Sequence, residues 1–271
     1  DFLAHTLPEN RSHFDRMIVV TSPTDKETQS VCSRYNVECI QTTAFWDNDA
    51  VFNKASGINV GLKALSLRGW VVQLDADIYL PPLTRYILEK MTLNPFKMYG
   101  VDRLMCPSYA AWQKFRSELP PINEFWTYTH LNAFPVGSRI CKYNESDQWV
   151  TIGFLQLWNP LGSGIFKYPM EHTGADRTDV LHAQKFDRGS RELLPEIVVI
   201  HLESEKTEMG ANWMGRTTKR FEPAPDKSIK IFSFIRKVIR RIQEKKWLFS
   251  CRKKFSCRCN KTCRTNNYRR K

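Results

Sequence analysis

The chain has 271 residues, and its 41 Lys and Arg outnumber 28 Asp and Glu, giving a formal charge of +13. Of these, 17 basic and two acidic residues fall in 226–271, which leaves 24 and 26 for residues 1–225, a net of −2. The basicity therefore belongs to a tail, which excludes a protein that coats nucleic acid through its whole surface, and 42% hydrophobic with 12% aromatic residues excludes a disordered body. Residues 1–225 read as one α/β domain around a single core, and 226–271 as a separate basic, Cys-containing tail.

In chain order, DFLAHTLPENRSHF opens the sequence with helical character. An α/β domain normally places a strand before such a helix, so a short preceding strand is expected. Met17–Val20 is a short β-branched strand that ends in the turn-rich Thr21–Asp25. Lys26–Tyr35 reads as helix and Val37–Gln41 as strand. Phe52–Ser66 is a helix with Ile58, Leu62 and Leu65 on one face. Gly69–Leu74 is a nearly continuous apolar strand of the kind buried on both faces. Residues 105–150 are aromatic-rich and weakly periodic, an excursion expected to cover a site. Ile152–Trp158 returns to strand, Asn159–Gly164 turns, Thr178–Lys185 is helical, and Glu196–Ile200 is a last apolar strand ending at His201. The alternation predicts a mainly parallel sheet flanked by helices. No run approaches about 18 apolar residues, so no transmembrane helix is expected. No signal peptide is read either, and the expected location is cytoplasmic, or host cytoplasm if the source is viral.

In parallel sheets ligands sit at the carboxyl ends of strands. Asp75-Ala-Asp77 follows Leu74 at such an end, and His201 closes the last strand. Carboxylate oxygens suit Mg²⁺ or Mn²⁺, and Mn²⁺ also tolerates an imidazole. The plain alternative is a solvated turn, with Asp75 capping a helix and His201 on the surface.

The stretch Phe52-Asn-Lys-Ala-Ser-Gly-Ile-Asn59, followed by Trp70-Val-Val-Gln-Leu-Asp-Ala-Asp77, resembles the donor half of glycosyltransferases with the GT-A (Rossmann-like) fold, of phage and bacterial type related to family 2. Gly153–Trp158 is similar to that family's acceptor-side strand. Arg177-Thr-Asp-Val-Leu181 stands where the family carries its catalytic acid residue. His201-Leu202 and then Gly210-Ala-Asn-Trp-Met-Gly-Arg216 resemble its C-terminal signature. The likeness spans roughly residues 1–220, without the family's first nucleotide-binding strand.

The resemblance implies a metal-dependent transferase that takes a nucleotide sugar, a UDP-sugar in the first instance, with Mn²⁺ or Mg²⁺. Asp77 is then a metal ligand, Asp75 a ribose or metal contact, and His201 a third ligand. Lys54, Asn59, Thr21, Asp25 and Arg216 fall on the donor side, where Thr21 and Asp25 are equally turn formers and Lys54 and Asn59 equally surface positions. Asp179 is the candidate general base of an inverting reaction, deprotonating the acceptor hydroxyl as it attacks. Asp176 competes for that role, and His172 and His182 are further alternatives that structural roles also explain. Gln156 and Trp158 lie on the acceptor-side strand. Arg177 and Arg216 can fork onto phosphate, Asn212 belongs to the C-terminal signature, and Trp213 either stacks on a sugar or packs in the core.

In the tail, Lys227–Phe249 reads as an amphipathic helix with Ile231, Ile235, Val238, Ile239 and Ile242 opposite a Lys/Arg face. Packing on the body, an anionic membrane surface and a nucleic-acid backbone all remain open. Cys251, Cys257, Cys259 and Cys263 form C-x5-C-x-C-x3-C, which lacks paired knuckles, so zinc, disulfides and free thiols stay open. Cys32, Cys39, Cys106 and Cys141 read as unpaired thiols. Sequons at Asn10, Asn144 and Asn260 matter only in a secretory compartment. The tail and the phage-type likeness together point to DNA with a hydroxymethylated pyrimidine as acceptor. A glycan, lipid-linked or protein acceptor is the alternative, and a non-catalytic nucleic-acid-binding protein a second one.

Overall fold

The computed structural model describes residues 2–118, 140–143, 148–171, 174–175, 177–202 and 221–223, with backbone alone for 140–143 and 148–150. The chain divides into two units, 1–222 and 223–271, and all of the second except Pro223 lies outside the described residues. The tail helix, its cysteines and the sequons at Asn144 and Asn260 are therefore not described.

Unit 1 is a mixed α/β fold with helices on both faces of its sheet. Helix α1 (Phe2–Asn10) leads to β1 (Ile18–Thr21), α2 (Lys26–Arg34), β2 (Glu38–Gln41), α3 (Lys54–Ala64) and β3 (Val71–Leu74). Then come β4 (Ile78–Tyr79), α4 (Thr84–Lys90), β5 (Met98–Cys106), α5 (Tyr109–Ser117) and the hairpin β6 (Ile140–Tyr143) and β7 (Gln148–Thr151). The described chain continues with β8 (Leu155–Trp158), α6 (Pro160–Ser163), α7 (Thr178–Ala183) and β9 (Arg191–Leu202). Side chains stop these helices from fraying at their starts. Asp25 accepts from Thr28 N, Asn53 from Ser56 N and Ser108 from Ala111 N, each meeting an amide that the helix leaves unpaired.

Strands β3-β8-β5-β9-β4 form one sheet in that order, while β1 and β2 pair with each other alone. The expected mainly parallel sheet is a mixed one. β1/β2 and β5/β9 are parallel, whereas β3/β8, β5/β8 and β4/β9 are antiparallel. The difference comes from two strands: β8, which the sequence marks as a strand without marking its direction, and the two-residue β4, which it does not mark at all.

Alternation along β8 sends Leu155 and Leu157 into a core shared with Ile87 and Leu88 of α4, and Trp158 into one shared with Ala55 and Leu62 of α3 and Val180 and Ala183 of α7. β9 runs longer than the apolar stretch that announced it. Pro195 lies where its register against β5 slips between Val101 and Asp102, as a residue without an N–H requires. Cys32 and Cys106 are buried, and burial pushes the Cys32 thiol up to about 12. Among the described residues no helix is long and apolar enough to cross a membrane.

Candidate functional site

Beyond Leu74 the chain leaves the sheet in a tight turn, Ile78 N donating to Asp75 O at 3.2 Å. Two further backbone hydrogen bonds hold it. Asp75 N donates to Phe154 O at 3.0 Å, and Leu202 N to Asp77 O at 2.9 Å, which ties the turn to the approach of β8 and the end of β9. From the other side α1 clamps it: Thr6 Oγ1 donates to Ala76 O at 2.7 Å. The buried Asn10 amide donates to Ile78 O at 2.7 Å and accepts from Leu80 N at 2.9 Å. The two aspartates are thus presented by a turn pinned on every side.

His201 stands opposite Ile78 in the β4/β9 register, and its Nε2 lies 3.2 Å from Asp77 Oδ2, close enough for an ion pair without hydrogen-bond alignment. Arg103 of β5 places a guanidinium nitrogen 2.9 Å from His201 Nδ1. Guanidinium only donates, so Nδ1 accepts, and in the neutral ring the proton sits on Nε2, toward Asp77. Burial pushes the Asp77 carboxyl up, but His201, a backbone hydrogen bond and the Lys54 charge together hold the group below its ordinary range. Asp77 Oδ1 is buried with no hydrogen-bond partner among the described residues. A desolvated carboxylate oxygen in that condition is a place for a cation or donor to arrive.

The second half of the site is built around Lys54, in the first turn of α3. Its ammonium donates to Asp75 Oδ1 at 2.7 Å and to Gly153 O at 3.3 Å. Gln73 Nε2 donates to the same Asp75 oxygen at 2.8 Å. Burial lowers Lys54, and the Asp75, Asp179 and Asp77 carboxylates together hold it above its ordinary value. Asp75 moves the opposite way from Asp77. Burial raises it, Lys54 opposes, and the neighbouring Asp77 charge adds to the rise.

Asp179, on the first turn of α7, accepts from Gly153 N at 2.6 Å through Oδ2. A Cβ at residue 153 would lie 2.6 Å from the Asp179 Cβ, so only glycine lets the carboxylate approach this backbone. Lys54, Asp75, Asp77, Arg103, Asp179 and His201 all line one cavity of about 1720 Å³.

The remaining expected site residues divide clearly. Arg177 lines the same cavity and caps α7 at φ 60°. Thr21 is fully buried at the end of β1 and donates to Asp25 Oδ2 at 2.8 Å, while Asp25 caps α2. The Asn59 amide joins the backbone of Tyr168 on both sides, accepting from N at 2.8 Å and donating to O at 3.1 Å. Gln156 and Trp158 are a correction. Both are completely buried, Gln156 holding Thr151 O, Asp179 O and the Tyr168 hydroxyl, so neither can touch an acceptor. The strand that carries them is an interior one, paired on both edges. His182 packs against Tyr168 and Trp158, and burial drives its pKa down to about 3, keeping it a neutral core ring. Asp176, His172, Asn212, Trp213 and Arg216 lie outside the described residues.

Among the described residues no three His, Cys, Asp or Glu side chains converge as a ready metal-ligand set. The geometry says why Asp75, Asp77 and His201 do not. Lys54 occupies one Asp75 oxygen, and Arg103 directs the His201 proton toward Asp77. Three positioning residues escaped the sequence reading: Gln73, Arg103 and Gly153. Arg103 had one visible signal, the adjacent charges Asp102 and Arg103 inside the otherwise apolar run Met98–Cys106. No protein-family model matches this chain, and no curated protein matches it in sequence.

Proposed function

We propose that the chain is a nucleotide-sugar glycosyltransferase of the GT-A type. The observation that carries the reading is Asp77: a half-buried carboxylate whose buried Oδ1 has no hydrogen-bond partner among the described residues, just past the carboxyl end of β3, in a cavity that also holds a second acidic centre at Asp179. The spare Asp77 oxygen fits a divalent cation, with Asp75 as the second carboxylate. His201 would join through Nε2 only if its proton moved to the nitrogen that Arg103 now faces. Such a cation would supply charge against a departing diphosphate.

The rest is performed by this chain's own groups. Asp179, held in place by Gly153 N–H, takes the proton from an acceptor hydroxyl whose oxygen attacks the anomeric carbon. The anomeric C–O bond to the diphosphate breaks as the new one forms, with inversion. Lys54 and Arg177, both on the cavity wall, supply positive charge for phosphate oxygens. The acceptor is proposed as a hydroxymethylated pyrimidine in DNA, a reading supported by the 17 basic residues of 226–271. A base would have to leave the stack to reach Asp179.

The test incubates the full chain and Asp77→Asn with a panel of nucleotide sugars, Mn²⁺ and hydroxymethylated DNA, and reads the DNA by mass. The expected result is a hexose-sized gain, reduced about a thousandfold in the variant, the scale of a lost several-kcal/mol electrostatic contribution. Equal turnover of the two proteins sinks the transferase reading. Donor hydrolysis without any gain on DNA sinks only the acceptor and turns the search to glycan or lipid-linked hydroxyls.

A further inference from the structure

Arg103 controls what His201 can do for a cation. His201 lies on β9, opposite Ile78 of β4 on one edge and Met105 of β5 on the other. Arg103 precedes Met105 by two residues, so the side-chain period sends it to the same face of the sheet as His201. Its guanidinium carbon sits over the Phe154 ring, 4.8 Å from the centroid, and one of its nitrogens is 2.9 Å from His201 Nδ1. The imidazole is thus held by its strand and by Arg103, and it is buried.

Donor and acceptor bookkeeping then fixes the ring. A guanidinium carries N–H groups and no lone pair, so the lone pair of Nδ1 is committed to Arg103. The single ring proton is left on Nε2, the nitrogen 3.2 Å from Asp77 Oδ2. A protonated nitrogen cannot ligate a metal. To free it, the proton would have to cross to Nδ1, where it would meet an Arg103 N–H head-on and a part-buried hydrogen bond would be lost. The groups that remain for a cation are carboxylate oxygens. Lys54 and Gln73 both bond Asp75 Oδ1, and among the described residues no hydrogen bond reaches Asp75 Oδ2 or Asp77 Oδ1. Carboxylate oxygens completed by phosphate oxygens and water suit Mg²⁺, whereas Zn²⁺ gains from an imidazole nitrogen.

We infer that Arg103 is the positioning residue that sets cation choice, holding His201 as the Nε2–H tautomer so that the imidazole stays out of the ligand set and an all-oxygen site is left for Mg²⁺. The His201 N–H stands on the Oδ2 side of Asp77 and leaves Oδ1 to the cation. This inference rests on the cation reading of Asp77 given above.

The experiment uses the full chain, Arg103→Met and Arg103→Lys, with ¹⁵N in the histidine rings and ¹³C in the aspartate carboxyls. His201 and Asp77 then report on this site alone, apart from the tail cysteines. Without metal, NMR is expected to show the His201 proton on Nε2 in the wild type. Arg103→Lys should match it, since an ammonium also only donates, and Arg103→Met should populate the Nδ1–H form. Each protein is next titrated with Mg²⁺ alone and with Zn²⁺ alone, read at the Asp77 carboxyl. Losing the guanidinium charge strengthens both cations alike, so the ratio of the two affinities is the measure. In Arg103→Met it should shift toward Zn²⁺ about tenfold, the scale on which hydrogen-bond partners of metal-binding histidines act, and Zn²⁺ should move the His201 Nε2 resonance. In Arg103→Lys the ratio should stay at the wild-type value. A wild-type His201 protonated on Nδ1, or one whose Nε2 binds Zn²⁺, overturns the inference, and neither result depends on a variant that folds. An unchanged ratio in Arg103→Met, or an equal shift in Arg103→Lys, overturns it as well. In all of these the cation reading survives so long as Mg²⁺ moves the Asp77 carboxyl. If neither metal moves it in any of the proteins, the cation reading fails and this inference falls with it.

Discussion

The two sides of the sheet solve the same folding problem to different degrees. On one side β8, β5 and β9 are paired on both edges, and Trp158, Met98, Val199 and Ile200 are completely excluded from solvent. On the other, β1 and β3 each have one edge without a partner strand among the described residues, and Ile18, Val19, Val20, Val72 and Leu74 stay partly exposed despite being as apolar as any core residue. Hydrophobicity alone therefore does not decide burial; the presence of a neighbour strand does. The candidate site straddles the seam. His201 and Arg103 stand on the paired strands β9 and β5, and Lys54 and Asp75 on the side of α3 and β3, with Asp77 in the turn between. The difference between the sides is thus also a difference in how firmly each half of the site is held.

Four substitutions probe this contrast, in order of expected size. Trp158→Ala empties the centre of the paired side and should cost about 4 kcal/mol in denaturant unfolding. If it costs no more than the β1 substitution below, the two sides are energetically alike and the contrast fails. Lys54→Met leaves Asp75 without its cation. With these side chains 23% and 31% exposed, solvent screens part of the loss, so about 2 kcal/mol is expected, largest at neutral pH where Asp75 is ionised.

His182 predicts an acid limb. Its folded pKa, near 3, lies below the unfolded 6.5, so its contribution is fully present above pH 6.5 and is lost progressively as pH falls toward 3. Between pH 6.5 and 5 that amounts to about 2 kcal/mol, and His182→Phe should flatten this part of the stability–pH curve. An unchanged slope in the variant would place the acid sensitivity elsewhere. Smallest is Val20→Ala on β1, about 1 kcal/mol, because this side chain is only half-buried. Measured by the same denaturant unfolding, it sets the low end of the comparison.

Much of the architecture was legible in the sequence. The β-branched runs at Met17–Val20 and Gly69–Leu74 and the periodic helix at Phe52–Ser66 all fall on observed elements with their ends shifted by a few residues. The direction of β8 was not legible, because an apolar strand looks the same read either way and only its partners set its sense. β4 was too short to carry a pattern. At the site, Asp75, Asp77, Asp179, His201 and Lys54 do share one cavity. Gln156 and Trp158 were expected at an acceptor through the likeness of Gly153–Trp158 to an acceptor-side strand, and such a likeness does not say that both faces of the strand are covered. Arg103 acts through its side chain on His201 and Gly153 through its backbone N–H on Asp179, contacts between segments far apart in sequence that no local pattern encodes.

The clamp made by Asn10 has a practical consequence for anyone producing this protein. Asn10-Arg-Ser12 is an acceptor for co-translational glycosylation, yet in the folded chain the Asn10 amide is buried and committed to Ile78 and Leu80. A glycan attached there in a secretory host would arrive before α1 docks and could not be accommodated once it did. The turn bearing Asp75 and Asp77 would lose its outer support, so material expressed by secretion is expected to be misassembled at the site while its sequence is intact.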